Sequence, residues 1–204
     1  DSGNILEGPG PITIAAIEDS IYNGRSGLGN IYTWAAGNGL DADDNSNYDG
    51  YSNSRYSIAV AAITHYGEQS WYSEPGANIL VTAHSNGGAP NYEGITTTDI
   101  TGTGGYGGGD VTHDFGGTSS ATPLVSGVIA LVLEANPTLT WRDVQNILVH
   151  SSRKNDANDS SWSLNGAGHD VSHKFGFGAV DAGAAVSLAQ NWSSSGEEIN
   201  ASFG

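Results

Sequence analysis

Apolar and polar positions fall in distinct blocks along the chain. From Pro11 to Tyr22, the residues Ile12, Ala15, Ala16 and Ile17 recur at helical spacing, with Gly24 as a stop. Asn30 to Ala36 is a short β-branched and aromatic run broken by Gly37-Asn38-Gly39, the pattern of a buried strand ending in a turn. Asp41 to Asn53 is polar, acidic and long for a connection, and ordered connections of that kind are usually functional. Strands are predicted at Ser57 to Ile63, Asn78 to Ala83 and Ile95 to Thr98, and Ile100 to Gly117 reads as glycine-punctuated loop. Pro123 to Ala135 is apolar on nearly every face, which predicts a helix buried through the middle of a domain with Pro123 in its first turn. Thr140 and Asp143 have N-cap spacing for a helix running to about Ser151. Asn155 to Ser172 reads as polar loop, Asp181 to Gln190 as a further helix, and the residues after Trp192 as a polar tail. Strands alternating with helices predict an α/β fold with a mostly parallel sheet, forming one domain or part of one.

Composition narrows the class. With 204 residues, 37% apolar and 14% charged, the chain is large enough for a real core and is neither a disordered polar chain nor a coiled coil. No uninterrupted apolar run approaches the roughly 20 residues of a membrane span. Asp1 to Gly10 is acidic and glycine-rich, unlike a secretory leader, so any leader is expected to have been removed. The absence of cysteine removes disulfides, thiolate zinc sites and cysteine nucleophiles together, and leaves the redox compartment open. Twenty-two acidic residues against six basic ones give a formal charge of −16, the wrong sign for holding nucleic acid. Such a field attracts metal ions or basic peptides.

Two short segments carry candidate chemistry. In Gly117-Thr118-Ser119-Ser120-Ala121-Thr122-Pro123, a serine follows a glycine turn at the mouth of the apolar helix. Backbone N–H groups and the helix dipole there favour an oxyanion formed beside the serine. A helix N-cap accounts for most serines in such a place, and the motif alone does not separate the two roles. In Trp34-Ala35-Ala36-Gly37-Asn38-Gly39, an amide at the end of a predicted strand could donate to a developing oxyanion. Asn-Gly is also plain turn chemistry.

Taken together the two segments are recognisable. GTSSATP before an apolar helix resembles the nucleophile motif of subtilases, the subtilisin-like serine proteases, and WAAGNG resembles their oxyanion-asparagine motif. The stretches DGYSNS (49–54), WYSEPG (71–76), LEANPTLTWRDVQNILVHSS (133–152), VSHKFGFGAVDAG (171–183) and LAQNW (188–192) resemble the kexin/furin-like proprotein convertase branch. The resemblance covers residues 1 to 192 and implies a three-layer subtilisin-like α/β fold, with 193–204 as tail or linker. It implies Ser119 as nucleophile and Asn38 as oxyanion donor. A subtilase also needs a general-base His and an orienting Asp. The upstream motifs that carry them are absent, and none of the six histidines precedes Gly-Thr. His113, six residues before Ser119, reads as a loop histidine. Convertases commonly carry His where Phe115 stands. The chain therefore reads as the C-terminal half of a catalytic domain, expected to work with an N-terminal half that supplies Asp and His and is held non-covalently. Secretion or a periplasmic location is the expectation for such a protease.

The same resemblance assigns the acidic residues. It places Asp1 and Asp49 at the pocket for the side chain before the scissile bond, and Asp1, Asp44 and Glu74 around a calcium ion beneath it. Carboxylate oxygens suit that hard cation. Glu7 and Tyr51 correspond to contacts with a basic residue farther out on the substrate, with Glu7 standing where familiar convertases have Asp. The backbone of Ile31 to Gly37, including Trp34, Ala35, Ala36 and Gly37, is expected to pair with extended substrate. Asp41, Asp43, Asp110, Asp156 and Asp159 read as solvated loop charges, and Trp71, Trp141 and Trp192 as packing residues. The implied function is a calcium-dependent serine endopeptidase cutting after Arg or Lys. The alternative is a non-catalytic subtilase relic that binds basic peptides.

Overall fold

The run Ser57-Ile-Ala-Val-Ala-Ala-Ile63 has no polar face, and it forms the middle strand of a parallel sheet buried on both sides. The computed structural model describes residues 6–88 and 93–195. Strands β1 (Tyr32–Ala35), β2 (Ser57–Ile63) and β3 (Ile79–His84) lie in the order β1-β2-β3, all parallel, with Trp34 opposite Ala59 and Val60 opposite Val81. Among the described residues the outer edge of β1 carries no further strand.

Three helices cover one face: α2 (Thr118–Ala135), α3 (Trp141–Ser151) and α4 (Ala182–Gln190). Val125, Ile129 and Val132 of α2, Val144, Ile147 and Leu148 of α3, and Ala185 and Ala189 of α4 pack with Ile58, Val60, Ala62 and Val81 in one core. Both α3 and α4 start where their caps predict. Thr140 and Asp143 form a reciprocal capping box, and the Asp181 side chain accepts from the Ala184 N–H. Helix α1 (Pro11–Asn23) ends at Gly24 and buries Ile21, whereas Ile12 is 88% exposed.

The structure changes four expectations. The stretch read as loop from Ile100 to Gly117 contains β5 (Val111–Phe115), which pairs antiparallel with β4 (Ile95–Thr98) in a separate hairpin. Glycines crowding the hairpin tip conceal its second strand. Helix α2 starts five residues before Pro123, which therefore lies inside the helix. Proline has no N–H, so the Ser119 carbonyl four residues back lacks its usual helical donor. Nor is α2 buried all round, since Leu124 is 41% and Leu131 49% exposed. By length and composition this 18-residue helix could cross a membrane, but its Val125, Ile129 and Val132 side pack on the sheet. Within the polar stretch 155–172, Ser163–Leu164 (β6) and Asp170–Val171 (β7) also pair as a minimal hairpin.

Asp143 does more than cap. Its carboxylate accepts from the Thr140 N–H (3.0 Å) and hydroxyl (2.7 Å), Trp192 Nε1 (3.0 Å), the Ser194 hydroxyl (2.8 Å) and the Ser195 N–H (3.2 Å). Burial alone would raise its pKa. The hydrogen bonds from Thr140, Ser194 and Trp192 win instead and hold it at about 2.

Candidate active site

Gly117 makes the turn that presents Ser119. Its φ of +78° with ψ of 170° is open to glycine and strained for any other residue. A buried polar girdle holds the turn from below. The Gly117 N–H donates to Asn86 Oδ1 (3.0 Å), and its carbonyl accepts from the hydroxyls of Ser85 (2.8 Å) and Ser120 (3.1 Å). The Tyr72 hydroxyl lies within hydrogen-bond distance of both Asn86 Oδ1 (2.6 Å) and Ser85 Oγ (2.8 Å) and joins the girdle through them. Ser119 is the second residue of α2 and is exposed, while its neighbours Thr118 and Ser120 are buried. The motif thus points one of its two serines outward and uses the other as an anchor.

Asn38 follows β1 and meets the same turn. Its Oδ1 accepts from the Thr118 N–H (2.8 Å) and from the Thr118 hydroxyl (3.0 Å). With Oδ1 engaged on two donors, the orientation of the amide is fixed and Nδ2 is left as the available donor. Thr118 also accepts weakly from the Gly37 N–H (3.3 Å). The sequence reading singled out Ser119 and Asn38 and passed over Thr118, the buried residue that joins them. Its only signal was its place inside GTSS, since the partners are 80 positions apart.

The acidic residues separate into groups. Glu74 and Asp44 are buried, 2% and 5% exposed, and both stand against Gly39. Glu74 Oε1 also accepts from the Gly39 N–H (2.9 Å), and Asp44 Oδ1 from the Asn45 N–H (2.7 Å). Burial, with added repulsion from Asp44 and Asp49, pushes Glu74 up to about 7 despite the Gly39 hydrogen bond. Glu74 occupies the space beside Gly37, where a Cβ would meet its carboxylate at 2.1 Å; Gly37 has φ +112°. Asp49 lies beside Glu7, whose backbone brackets it through Glu7 N–H to Tyr48 O and Gly50 N–H to Glu7 O. The Tyr51 ring stacks on Trp34, with centroids 4.6 Å apart and planes 6° from parallel. Ala36 is buried and bonds through its N–H to Val60 O, and Ala35 pairs with Val60.

Asp1 lies outside the described residues. Among the described residues no three His, Cys, Asp or Glu side chains are gathered as a metal-holding group. The structure therefore brings together two of the three residues expected at a cation. His113 sits on β5 with Nδ1 against Thr96 Oγ1 (2.9 Å), and Ser119 Oγ has no hydrogen-bond partner among the described residues. Trp192 packs against the core and Trp141 against Tyr56, but Trp71 is 56% exposed.

Ser119 thus stands exposed on a glycine turn at a helix mouth, and Asn38, from the end of a parallel strand, contacts the same turn through Thr118. Residues 4–178 match the model of the subtilase family, and the chain belongs to that family. More narrowly it is a kexin/furin-like subtilase. It is 42% identical over 192 residues to furin from Homo sapiens and 46% identical over 192 residues to proprotein convertase subtilisin/kexin type 6 from Rattus norvegicus. These matches cover 94% of this chain but only 23% and 20% of those proteins, so the chain spans less than a quarter of their length. Among solved structures, the serine protease of Aeromonas sobria superposes with a TM-score of 0.85 at 26% identity, covering 91% of this chain and 40% of that one. Fervidolysin from Fervidobacterium pennivorans, at 20% identity and a TM-score of 0.59, shares the fold.

Proposed function

We propose that this chain is the nucleophile-bearing part of a calcium-dependent serine endopeptidase that cuts after Arg or Lys. The observation that carries this reading is the contact between Asn38 and Thr118, which sets a side-chain amide beside the outward-facing Ser119. In this reading Ser119 Oγ attacks the scissile carbonyl, and Asn38 Nδ2 with the N–H groups at the start of α2 receives the developing oxyanion. The proton of Ser119 passes to a histidine oriented by an aspartate, both supplied by an N-terminal half of the same protease. The open edge of β1 and the exposed Leu124, Leu131 and Ile12 leave a surface for that half to cover.

Asp49, with Asp1, would form the first specificity pocket, while Glu7 and Tyr51 reach a basic residue farther out. Trp34, Ala35, Ala36 and Gly37 would line the path of the extended substrate. The acidic balance of the chain suits a cationic peptide. Asp44 and Glu74, with Asp1, would hold calcium. The fit lies in a buried carboxyl pair with no basic partner among the described residues, whose burial and mutual repulsion raise the pKa of Glu74. When bound, the ion supplies positive charge that lets these carboxylates ionise side by side. Secretion is the setting proposed for such a protease.

The test is hydrolysis of fluorogenic peptides ending in Arg-Arg by the full-length protein, paired with a phosphonate serine probe. Ser119→Ala should abolish both turnover and labelling while the fold persists. Peptides ending in Leu should be cut far more slowly, because the pocket carboxylate would be left buried without its cation. Full turnover in the Ser119 variant would refute the nucleophile. Saturable binding of basic peptides without any cleavage by the wild type would mark a relic instead.

A further inference from the structure

The chain has six basic residues, and only Arg153 and Lys154 stand side by side. An adjacent basic pair belongs to the substrate class of the activity proposed above, so the chain carries one such sequence of its own. Both residues are exposed, open to recognition by a protease. The backbone around them is not. Peptide substrates are commonly held extended, as an added strand. Here the residues before the pair belong to α3, which ends at Ser151. Ser152 returns both its N–H (3.0 Å) and its hydroxyl (2.7 Å) to the Leu148 carbonyl.

The pair itself is tied to the sheet. The Arg153 N–H donates to the Ala179 carbonyl and the Ala179 N–H to the Arg153 carbonyl, both at 2.9 Å. Ala179 in turn lies alongside Thr82 of β3, so Arg153 extends the edge of the central sheet. Gly178 permits the approach. Its φ is +121°, and a Cβ there would run into the Arg153 carbonyl. Lys154 Nζ lies 2.9 Å from Asp170 Oδ1 and 5.3 Å from the Trp162 ring centroid. Trp162 Nε1 donates to the carbonyls of Asn155 (3.1 Å) and Asp156 (3.2 Å), and its ring stacks on buried Phe175. Asn155 is buried and donates through Nδ2 to the Gly67 carbonyl (2.7 Å). The peptide bond after Lys154 therefore has a bridged residue on one side and a buried one on the other.

We propose that Lys154–Asn155 is a latched cleavage site, which this protease cuts in a second copy of its own chain once the latch opens. The inference rests on the reading of the chain as a protease that cuts after basic residues. Arg153 and Lys154 mark the bond. The Arg153–Ala179 bridge and the Trp162 contact with Asn155 keep it out of a protease cleft. The latch sits where local opening is easiest: β6 and β7 beside it have two residues each, and the Lys154–Asp170 pair is 34% and 41% exposed. The reaction is hydrolysis. The C–N bond of Lys154–Asn155 breaks, the hydroxyl of water goes to the Lys154 carbonyl carbon and its proton to the Asn155 nitrogen. The cut would sever Ser119 from α4, whose Ala185 and Ala189 lie in the core.

The substrate for the test is the full-length protein carrying Ser119→Ala to silence its own activity, alone or with Gly178→Ala or Asp170→Asn. Each is incubated with trypsin in one arm and with active full-length enzyme in the other, and fragments are timed by mass spectrometry. With trypsin, the cut after Lys154 should be about tenfold or more faster in Gly178→Ala and up to about fivefold faster in Asp170→Asn, because cleavage follows the population of the open form. Cleavage after Arg25, which binds the Leu139 carbonyl at the other end of α3, should keep its rate. The active enzyme should make the same cut in the same order of rates. Equal trypsin rates at Lys154 in all three substrates overturn the latch, as does a rise at Arg25 that matches the rise at Lys154 in both variants. An enzyme that hydrolyses Arg-Arg peptides yet leaves Lys154 intact in the opened substrates overturns self-cleavage and leaves the proposed function standing. An enzyme that hydrolyses neither refutes the proposed function and self-cleavage with it, while the trypsin arm still decides the latch.

Discussion

Asp143 is fully buried and accepts five hydrogen bonds, and its pKa lies at about 2 instead of the ordinary 3.8. A carboxylate depressed in the folded state contributes stability that is complete above its unfolded pKa. That contribution is lost as pH falls through the folded value. The depression of nearly two units, at about 1.4 kcal/mol per unit, makes it worth about 2 kcal/mol. All of that is present above about pH 5 and most of it is gone by about pH 2. Asp143→Asn removes the titration and turns N–H donors towards a cluster of donors. Urea unfolding of the full-length protein, followed by circular dichroism at a series of pH values, measures the difference between wild type and variant. That difference should shrink by about 2 kcal/mol between pH 5.5 and pH 2. A difference that stays constant across this range would show that the five donors do not favour the ionised form, and the account of the capping cluster would fail.

Three further outcomes concern the site. Asn38→Ala should lower kcat by about 100- to 1,000-fold with little change in KM, because the amide acts on charge that develops only during reaction. Thr118→Val removes one of the two donors that orient Asn38 and should cost about tenfold in kcat; if steady-state kinetics show loss in KM alone, Thr118 does not position the amide. Exhaustive chelation should lower activity and thermal stability together, with calcium restoring both better than magnesium. Full activity with no metal found by elemental analysis would remove the cation from the reading of Asp44 and Glu74.

What could be read from the sequence was what is encoded locally. Thr140 and Asp143 are three residues apart, so their reciprocal cap is visible as spacing. The uniformly apolar β2 run named its own position in the sheet. Glycines beside Val111–Phe115 drowned a five-residue strand whose evidence is its partner across the hairpin. The second duty of Asp143 depends on Trp192, Ser194 and Ser195, about 50 residues away, and no local pattern announces it. The start of α2 was misplaced because Pro123 is an obvious marker, while the true start is set by the contact of Thr118 with Asn38.

The segment Gly37-Asn38-Gly39 has consequences for how this protein can vary. The absence of a side chain at Gly37 is filled by the Glu74 carboxylate, the Gly39 N–H binds that same carboxylate, and between them Asn38 rests on Thr118. A methyl group at position 37 would strike Glu74, and one at position 39 would strike Asp44 at 2.7 Å. Neither glycine can be exchanged without moving the acid behind it, and the amide of Asn38 stands between the two. The two glycines are thus tied to one near acid, Asp44, and one distant acid, Glu74, as one unit of inheritance. Drift at any of them is open only to a lineage that changes the others with it.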